Sequence, residues 1–147
     1  MKVVVQRVNK ASVSVNEEIV GKIDKGLCVL VGFTENDTIE DINYIVRKII
    51  NLRIFDDENG VMNKSVLDID GKILSISQFT LYADTKKGNR PSYVKALGGT
   101  EACKLYNQFN ELLKENVEVE TGVFGADMQV EIHNNGPVTI IIDSKEK

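Results

Sequence analysis

The stretch from Lys72 to Ala83, KILSISQFTLYA, decides the fold predicted for this chain. Its residues alternate like those of a strand, yet apolar side chains occupy both faces, and such a strand is usually central and buried. Polar side chains interrupt the apolar run at Ser75, Ser77, Gln78 and Thr80. A buried hydroxyl or amide is unfavourable unless it finds a hydrogen-bond partner. These groups therefore either form a network that supports the core or line a cavity for a ligand, and spacing alone slightly favours the network.

The sequence before this stretch predicts several short strands and then a helix. Alternating or continuous apolar residues indicate strands at residues 2–9, 11–15, 19–23 and 27–33. Because the connections between them are too short for parallel crossovers, these strands are expected to be antiparallel. From Thr38 to Arg53 the apolar residues recur every three or four positions, which predicts an amphipathic helix. Thr38 and Asp41 have the spacing of a capping box at its start.

The sequence after the stretch predicts a second helix and a return to strands. Gly98-Gly99-Thr100 interrupts the chain, and apolar residues at helical spacing then continue to Leu113. Alternation indicates three further strands, at residues 117–124, 128–133 and 138–143. The chain, residues 1–147, therefore predicts a single α+β domain in which mostly antiparallel, barrel-like sheet layers pack with two main helices.

Composition and charge argue against several classes of protein. The net charge is −4, which disfavours binding to nucleic acid through a broad basic surface but leaves room for a local basic patch. The strand pattern begins directly at Lys2 and the apolar runs are short, so neither a signal peptide nor a membrane span is expected. Cys28 and Cys103 have no metal-ligand neighbours at a useful spacing, and free thiols in a reducing cytoplasm are expected.

Few residues could carry conventional hydrolytic chemistry. His133 is the only histidine, and the sequence lacks a GxSxG nucleophile motif, a metal-ligand cluster and a Gly-rich phosphate loop. A triad would have to combine Ser77 with His133, and spacing gives this pairing no support. If the protein is an enzyme, its side chains are not expected to supply a strong general base. No cofactor or metal is expected either.

Two loops carry unusual residues. The loop at 84–93 contains the densest cluster of positive charge in the chain, formed by Lys86, Lys87 and Arg90. Such a cluster is usually a solvated loop, and the alternative is a phosphate contact beside a pocket, since this loop follows the polar strand. The second loop, Asn134-Asn135-Gly136-Pro137, has the composition of a hairpin turn. Its X-Pro bond has a cis alternative, which about 5–6% of such bonds adopt in folded proteins.

An ordered set of short motifs resembles one protein family along nearly the whole chain. The motifs are Gln6-Arg7-Val8, Ala11-Ser12-Val13, Arg53-Ile54-Phe55, Ser77-Gln78-Phe79-Thr80-Leu81, Arg90-Pro91-Ser92, TGVFGADM at residues 121–128 and Asn135-Gly136-Pro137-Val138-Thr139. In this order they resemble the D-aminoacyl-tRNA deacylase family. The Ser-Gln-Phe-Thr form differs from the corresponding motif of the similar animal paralogue. One position departs from the family's usual Asp-Gly-Pro, because Asn135 precedes Gly136-Pro137 here.

The resemblance implies a cytoplasmic homodimer that hydrolyses the ester joining a D-amino acid to the 3′ end of tRNA, with mischarged glycine as a second substrate. Gly136-Pro137 is implied to be a cis pair that enters the partner subunit's pocket and faces the substrate Cα, where an L side chain would collide. Arg7 is implied to hold this loop in place. The basic loop at 84–93 is expected to lie near the tRNA backbone.

The resemblance also assigns the opposite wall of the pocket to Ser77, Gln78, Phe79 and Thr80, with main-chain N–H groups near Phe79 stabilising the oxyanion. The 2′-hydroxyl at the end of tRNA would assist the attack of water, and Thr80 as a covalent nucleophile is the older alternative. Two other functions stay open. One is a tRNA 3′-end binding or editing module without turnover, and the other is an esterase that uses Ser77 with His133.

Overall fold

The first strand of the protein pairs with three other strands of its sheet. The structure, a computed structural model, describes residues 1–147. Its strands are β1 (Lys2–Val15), β2 (Glu18–Ile23), β3 (Gly26–Gly32), β4 (Phe55–Asp56), β5 (Met62–Lys64), β6 (Lys72–Ser77), β7 (Glu118–Thr121) and β8 (Gln129–Asp143). Its helices are α1 (Ile39–Asn51), a short 3₁₀ helix (Phe79–Tyr82) and α2 (Gly99–Lys114). No helix is long and apolar enough to cross a membrane.

The main sheet is mixed and nearly closes into a barrel. Its strand order is β2-β1-β3-β6-β7, and β8 pairs with β1 along the latter's length. The pairs β1–β2, β1–β3 and β1–β8 are antiparallel, as predicted for the start of the chain, whereas β3–β6 and β6–β7 are parallel. A Cβ atom on Gly21 of β2 would lie only 2.6 Å from the carbonyl oxygen of Thr121 in β7. The two end strands therefore almost meet, which confirms the predicted α+β class with a barrel-like sheet.

The central position predicted for the polar strand is confirmed. β6 lies between β3 and β7, and its two faces contribute to different apolar clusters. Ile73 packs in the cluster that α1 and α2 cover, while Leu74 and Ile76 pack in the cluster inside the barrel. All three side chains are buried, and burial of each contributes about 1.5–3 kcal/mol to folding. The strand is apolar on both faces because both faces are covered.

Several predicted element boundaries are wrong. The strand predicted over Lys72 to Ala83 ends at Ser77, and the chain then forms the 3₁₀ helix. The strands predicted at 2–9 and 11–15 are one continuous strand, β1. The segments predicted at 128–133 and 138–143 are likewise one strand, β8, so Gly136-Pro137 forms a bulge rather than a hairpin turn. The errors in β1 and in β8 have one cause. β8 pairs with β1 along its length, and local alternation carries no information about such long-range pairing.

The two helices begin where the sequence indicated. Thr38 is the N-cap of α1, and the reciprocal bonds of the capping box with Asp41 are both present. The helix α2 begins at Gly99 after the extended Gly98, with Glu101 in its first turn. The residues that α1 and α2 bury against the sheet include Ile45, Ile49, Phe109 and Leu113. These contacts fix α2 beside the carboxyl end of β6, where the candidate site lies.

Candidate active site

The chain changes direction sharply at the carboxyl end of β6. The Gln78 N–H donates to the Val31 carbonyl of the neighbouring strand at 2.7 Å, and the 3₁₀ helix then begins at Phe79. The Gln78 side chain does not cap this helix. The main-chain N–H groups of Phe79 and Thr80 are the first donors of this helix, and such donors have no partner within the helix itself. This turn therefore presents two main-chain donors beside the end of a rigid central strand.

A cleft of about 510 Å³ opens at this turn. We call it the cleft, and its lining is mostly apolar, with Ser77, Gln78 and Phe79 contributed by the turn. The other lining residues come from the end of β3 and the residue after it, from β6, from the start of α2 and the two residues before it, and from β8 and the segment that precedes it: Val31, Gly32, Phe33, Ile76, Leu97, Gly98, Gly99, Ala102, Phe124, Gly125, Ala126, Asp127, Met128 and Val130. A mostly apolar cleft with a few placed polar groups is the usual form of a small-molecule site.

Three of the four residues predicted for the catalytic wall line the cleft, and the fourth supports one of them. Thr80 does not line the cleft. Its hydroxyl oxygen accepts a hydrogen bond from the Gln78 side-chain amide, and both side chains are half-buried. The Thr80 hydroxyl is thus engaged with its neighbour in the wall.

For Ser75 the prediction of a hydrogen-bonded side-chain network is wrong, because its hydroxyl is fully buried and has no hydrogen-bond partner. The Ser75 carbonyl accepts hydrogen bonds from the Tyr106 hydroxyl at 2.7 Å and from the Gly122 N–H at 3.3 Å. Burial raises the pKa of Tyr106, against the lowering effect of its hydrogen bonds with Ser75 and Asn110, so the phenol stays neutral and donates. Ser75 is therefore connected to its neighbours through its main-chain carbonyl and not through its hydroxyl, whereas Ser77 and Gln78 line the cleft. Sequence reasoning counted Tyr106 only among the apolar residues of α2, and its hydroxyl was the missed signal.

The Gly136-Pro137 segment forms an exposed bulge on β8. Gln6 pairs with Thr139 and Val8 pairs with Asn134, so Arg7 alone stands opposite residues 135–138. We call residues 135–138 the Gly-Pro loop. Its Gly136–Pro137 peptide bond is cis, and both residues are exposed.

Arg7 of β1 holds the Gly-Pro loop through a hydrogen bond to its first residue. The guanidinium is 8% exposed, and its Nε donates to the Asn135 carbonyl at 3.2 Å while one Nη donates to the Ile54 carbonyl at 2.8 Å. The same Nη lies 3.5 Å from a carboxylate oxygen of the exposed Asp56. The planar guanidinium therefore connects the loop to the segment that follows α1.

Asn134 anchors the same loop from the side, a role that sequence reasoning missed. Its side-chain N–H groups donate to the carbonyls of Arg7 at 3.1 Å and Val138 at 3.0 Å. Its side-chain oxygen accepts from the Gln6 amide at 3.2 Å and from the Thr139 hydroxyl at 3.0 Å. All four hydrogen-bonding positions of the amide are used, so the two ends of the bulge are held together.

One chain does not bring the two predicted halves of the site together. Neither Gly136 nor Pro137 lines the cleft. In the sheet, Ser77 of β6 is level with Val31 and Val3, whereas the Gly-Pro loop is level with Arg7 and belongs to β8, which β3 and β1 separate from β6. A separation of four residues along β1 alone corresponds to about 13 Å. Within one protomer, the loop and the cleft are separate features.

The basic loop lies beside the cleft and is anchored at both ends. Asp84 and Ser92 exchange two main-chain hydrogen bonds of 2.8 and 2.9 Å, and the Asp84 carboxylate accepts from the Lys86 N–H. The side chains of Lys86, Lys87 and Arg90 are exposed and form no ion pair. The Tyr93 ring, just after this loop, packs edge-on against Phe79 of the cleft with ring centroids 5.2 Å apart.

The remaining candidate groups lie elsewhere. His133 pairs with Lys10 and lines a separate groove that includes Ser12 and Glu131, so the structure does not bring it to Ser77 and the esterase hypothesis is wrong in its geometry. Burial raises the pKa of the Cys28 thiol to about 12, which makes it unreactive at neutral pH. No group of three or more His, Cys, Asp or Glu residues could hold a metal ion.

The fold and the cleft together define a class: a small α+β barrel with main-chain donors at the start of a helix beside an apolar cleft, the arrangement that hydrolases use to stabilise an oxyanion. Residues 4–143 match the family described as D-Tyr-tRNA(Tyr) deacylase, and the chain belongs to this family. The chain is 56% identical over 148 residues to a D-aminoacyl-tRNA deacylase of Clostridium novyi (strain NT), an alignment that covers all of this chain and 99% of that relative.

Solved structures show the same fold. A protein named c-Myc DNA unwinding element binding protein superposes with a TM-score of 0.92 at 46% identity, over 97% of this chain and 98% of that one. A probable eukaryotic D-amino acid tRNA deacylase superposes with a TM-score of 0.82 over 96% of this chain and 97% of that one. At 17% identity, the second comparison establishes the shared fold alone.

Proposed function

We propose that the protein hydrolyses the ester that joins a D-amino acid to the 3′ end of tRNA, releasing the free amino acid and the tRNA. Family membership makes the protein an enzyme of the deacylase type. The observation that carries the proposal is the pair of main-chain N–H groups at Phe79 and Thr80, which begin the 3₁₀ helix beside a cleft of about 510 Å³. These donors suit the negative charge that develops on the ester carbonyl when water attacks it.

The source of the general base follows from the lining of the cleft. Its only ionisable side chain is Asp127, which is exposed and comes from a different segment than the proposed oxyanion donors. We therefore assign assistance of the attacking water to the 2′-hydroxyl of the terminal ribose, and the hydroxyl of Thr80 keeps Gln78 in position. The 3′-oxygen of the ribose leaves with a proton as the C–O ester bond breaks.

This assignment is tested by removing each candidate base separately. A D-Tyr-tRNA whose terminal ribose lacks the 2′-hydroxyl should be hydrolysed at least about 100-fold more slowly, the lower end of the contribution of one general base. Asp127→Asn should change kcat by less than about threefold, because the exposed carboxylate comes from a different segment than the proposed oxyanion donors. The opposite pattern would make Asp127 the base and refute the assignment to the substrate.

Chirality would be read by a second copy of the chain. In the proposed homodimer, Gly136 and Pro137 of the partner subunit enter the cleft with their carbonyls toward the substrate Cα. A hydrogen fits there and an L side chain collides, so the site rejects L substrates by exclusion. Achiral glycine has no such side chain, which makes mischarged glycyl-tRNA a second substrate. The exposure of the Gly-Pro loop and its absence from the cleft of its own protomer both support this arrangement.

The protein is expected to act in the cytoplasm, where it would meet the acceptor 3′ end of aminoacyl-tRNA. The exposed Lys86, Lys87 and Arg90 beside the cleft support a contact with the tRNA backbone. Arg7 supports the Gly-Pro loop through its bond to the Asn135 carbonyl.

One assay decides between this function and its alternatives. Purified protein is incubated with D-Tyr-tRNA and, separately, with L-Tyr-tRNA, and release of tyrosine is followed for wild type, Thr80→Ala and Pro137→Ala. We expect D-selective release by wild type, reduced selectivity in Pro137→Ala and residual activity in Thr80→Ala. Binding without any release would instead indicate a tRNA-binding module. Complete loss of activity in a folded, tRNA-binding Thr80→Ala protein would indicate a nucleophilic threonine.

A further inference from the structure

Three exposed apolar side chains form a patch at the mouth of the cleft. Phe79 is 53% exposed, Tyr93 42% and Val94 91%, and we call these three residues the platform. The Phe79 and Tyr93 rings meet at an interplanar angle of 72°, so they hold each other in place. Large apolar side chains that remain exposed as a contiguous group beside a site usually mark an interaction surface.

The surroundings of the platform indicate the chemistry of its occupant. Lys86, Lys87 and Arg90 lie in the loop that ends at Tyr93, and none of them forms an ion pair. The nearest carboxylate in that loop, Asp84, is already paired with Lys95 at 3.6 Å. Exposed aromatic rings next to unpaired cations are the combination by which proteins hold single-stranded nucleic acid, through stacked bases and bound phosphates.

We propose that the platform stacks an unpaired base of the tRNA acceptor end, that of the nucleotide just before the aminoacylated one, while the basic loop binds its phosphates. The inference rests on the proposed function, which places the ester at the main-chain N–H groups of Phe79 and Thr80. A strand that enters the cleft beside Phe79 passes over the Phe79 and Tyr93 rings, because Phe79 belongs to both the cleft and the platform.

The test compares binding of a long and a short substrate mimic. The long probe is tRNA with an amide-linked D-tyrosine at its 3′ end, and the short probe is adenosine with the same amide. Tyr93→Ala should weaken binding of the long probe about tenfold more than that of the short probe, since stacking of one base has about this value. Tyr93→Phe, which keeps the ring, should restore the binding of the long probe. Val61→Ala, an exposed apolar residue near the β4–β5 turn, is the neutral control.

Salt dependence separates the phosphate contacts from the stacking. Replacing Lys86, Lys87 and Arg90 with Gln should reduce the slope of log affinity against log salt by about two, as expected for three contacts to a single strand. Tyr93→Ala should leave that slope unchanged. A charge-matched control replaces Lys22, Lys72 and Lys114, which line a groove elsewhere on the molecule, and it should retain the slope.

Three results would overturn the proposal. Equal weakening of both probes by Tyr93→Ala would place Tyr93 in the pocket for the terminal nucleoside, and no weakening would leave the platform without a role. Dissociation of a wild-type dimer by Tyr93→Ala, measured by sedimentation, would make the platform a contact between copies. A wild-type protein without hydrolytic activity would refute the proposed function, whereas the binding comparison needs no turnover and decides on the platform by itself.

Discussion

The cleft and the Gly-Pro loop differ in nearly every physical respect. The cleft is concave and mostly apolar, and it begins at the end of β6, the central strand that is buried on both faces. The Gly-Pro loop is convex and exposed, and it projects from β8 where one residue of β1 faces four of β8. The cleft is positioned by packed side chains, whereas the loop is positioned by the hydrogen bonds of Arg7 and Asn134.

This difference explains how one small chain could hold both a catalytic wall and a selective one. The cleft has main-chain donors but no lid, and the Gly-Pro loop projects from the surface but has no cavity. In a dimer with a two-fold axis, the loop of one copy can close the cleft of the other. Because such an interface is isologous, one pair of contacts is repeated and two equivalent sites result. The comparison therefore predicts that damage to the loop and damage to the cleft can be carried by different subunits.

The largest effect is expected from Gly136→Ala. Gly136 has φ 122°, and a Cβ there would lie 2.8 Å from Val138 Cγ2 and 3.1 Å from an Arg7 Nη atom. The loop must therefore shift, and a displacement of about 1 Å at a reacting centre costs about 100-fold in rate. We expect kcat/KM for D-Tyr-tRNA to fall by about that factor, measured by tyrosine release.

Gly60→Ala provides the matched control for this substitution. Gly60 also has a positive φ, 75°, but a Cβ there meets nothing within 4 Å, and the residue lies in the turn between β4 and β5. Gly60→Ala therefore also places a side chain on a backbone with positive φ, but outside the Gly-Pro loop. If both variants lost activity equally, general destabilisation rather than the loop would be responsible.

The next effect is recovery of activity when two inactive chains are mixed. Gly98 lines the cleft in an extended conformation with open space at its Cβ, so Gly98→Trp should fill the cleft without distorting the backbone. Refolding this variant with an equal amount of Gly136→Ala should restore about one quarter of wild-type activity, since half of the dimers would contain one intact site. Tyrosine release after co-refolding measures the recovery, and the separately refolded variants are the control. No recovery would mean that each chain supplies both halves.

Arg7→Met should have a smaller effect on rate and a clear effect on stability. Met preserves the length and apolar stem of Arg7 but leaves the carbonyls of Ile54 and Asn135 without their donor. We expect the free energy of unfolding to fall by about 2–3 kcal/mol, as for loss of a buried hydrogen bond from a charged group, and kcat/KM to fall about tenfold. Urea denaturation and tyrosine release measure the two effects.

Arg53→Met is the matched control, because exposed Arg53 also donates its Nε to a main-chain carbonyl, that of Asn63, at 3.0 Å. Since water can replace that donor, the control should lose less than about 1 kcal/mol and retain its activity. If the activity lost in Arg7→Met were fully explained by its lower stability, Arg7 would have no separate role in holding the loop.

The same comparison shows which parts of the site could be predicted from the sequence. Spacing alone did not decide whether the polar residues of β6 line a cavity or form a network. The cleft rests on β6 and α2, whose alternation and helical spacing are local patterns, so the existence of these two elements followed from residues close together in the chain. The end of β6 did not, because Phe79 and Leu81 continue the apolar pattern while the backbone already turns. The Gln78 N–H still donates to the Val31 carbonyl of the neighbouring strand, so the hydrogen bonds between the strands reach Gln78 before the 3₁₀ helix begins.

The role of the Gly-Pro loop was predicted only from the resemblance of the chain to a family. Composition favoured a hairpin turn, since Asn, Gly and Pro are turn residues. The pairing of Gln6 with Thr139 and of Val8 with Asn134 makes it a bulge, and nothing near residue 136 in the sequence encodes those partners. The amide of Asn134 and the hydroxyl of Tyr106 were missed for the same reason, because their partners lie at least 31 residues away or across a bulge.

The smallest effect is expected on the cleft side, from Tyr106→Phe. Tyr106 is 3% exposed, and its hydroxyl donates to the Ser75 carbonyl just before the turn. Removal of the hydroxyl leaves that carbonyl with its second donor, the Gly122 N–H, so no acceptor is orphaned. We expect the free energy of unfolding to fall by only about 1 kcal/mol and kcat/KM to change by less than about threefold. Tyr44→Phe, whose hydroxyl has no partner in the protein, is the control for stability.

The pH dependence of stability provides a second readout for Tyr106→Phe. The pKa of Tyr106 is raised in the folded state, chiefly by burial, so folding favours the protonated phenol. Its contribution to stability is complete below the unfolded pKa of about 10 and is lost as the pH rises further. Wild type should therefore lose stability above about pH 10 more steeply than Tyr106→Phe, measured by urea denaturation at each pH. Equal slopes would mean that water reaches the phenol in the folded state. The contact of Tyr106 with Ser75 would then support the cleft less firmly than Arg7 and Asn134 support the loop.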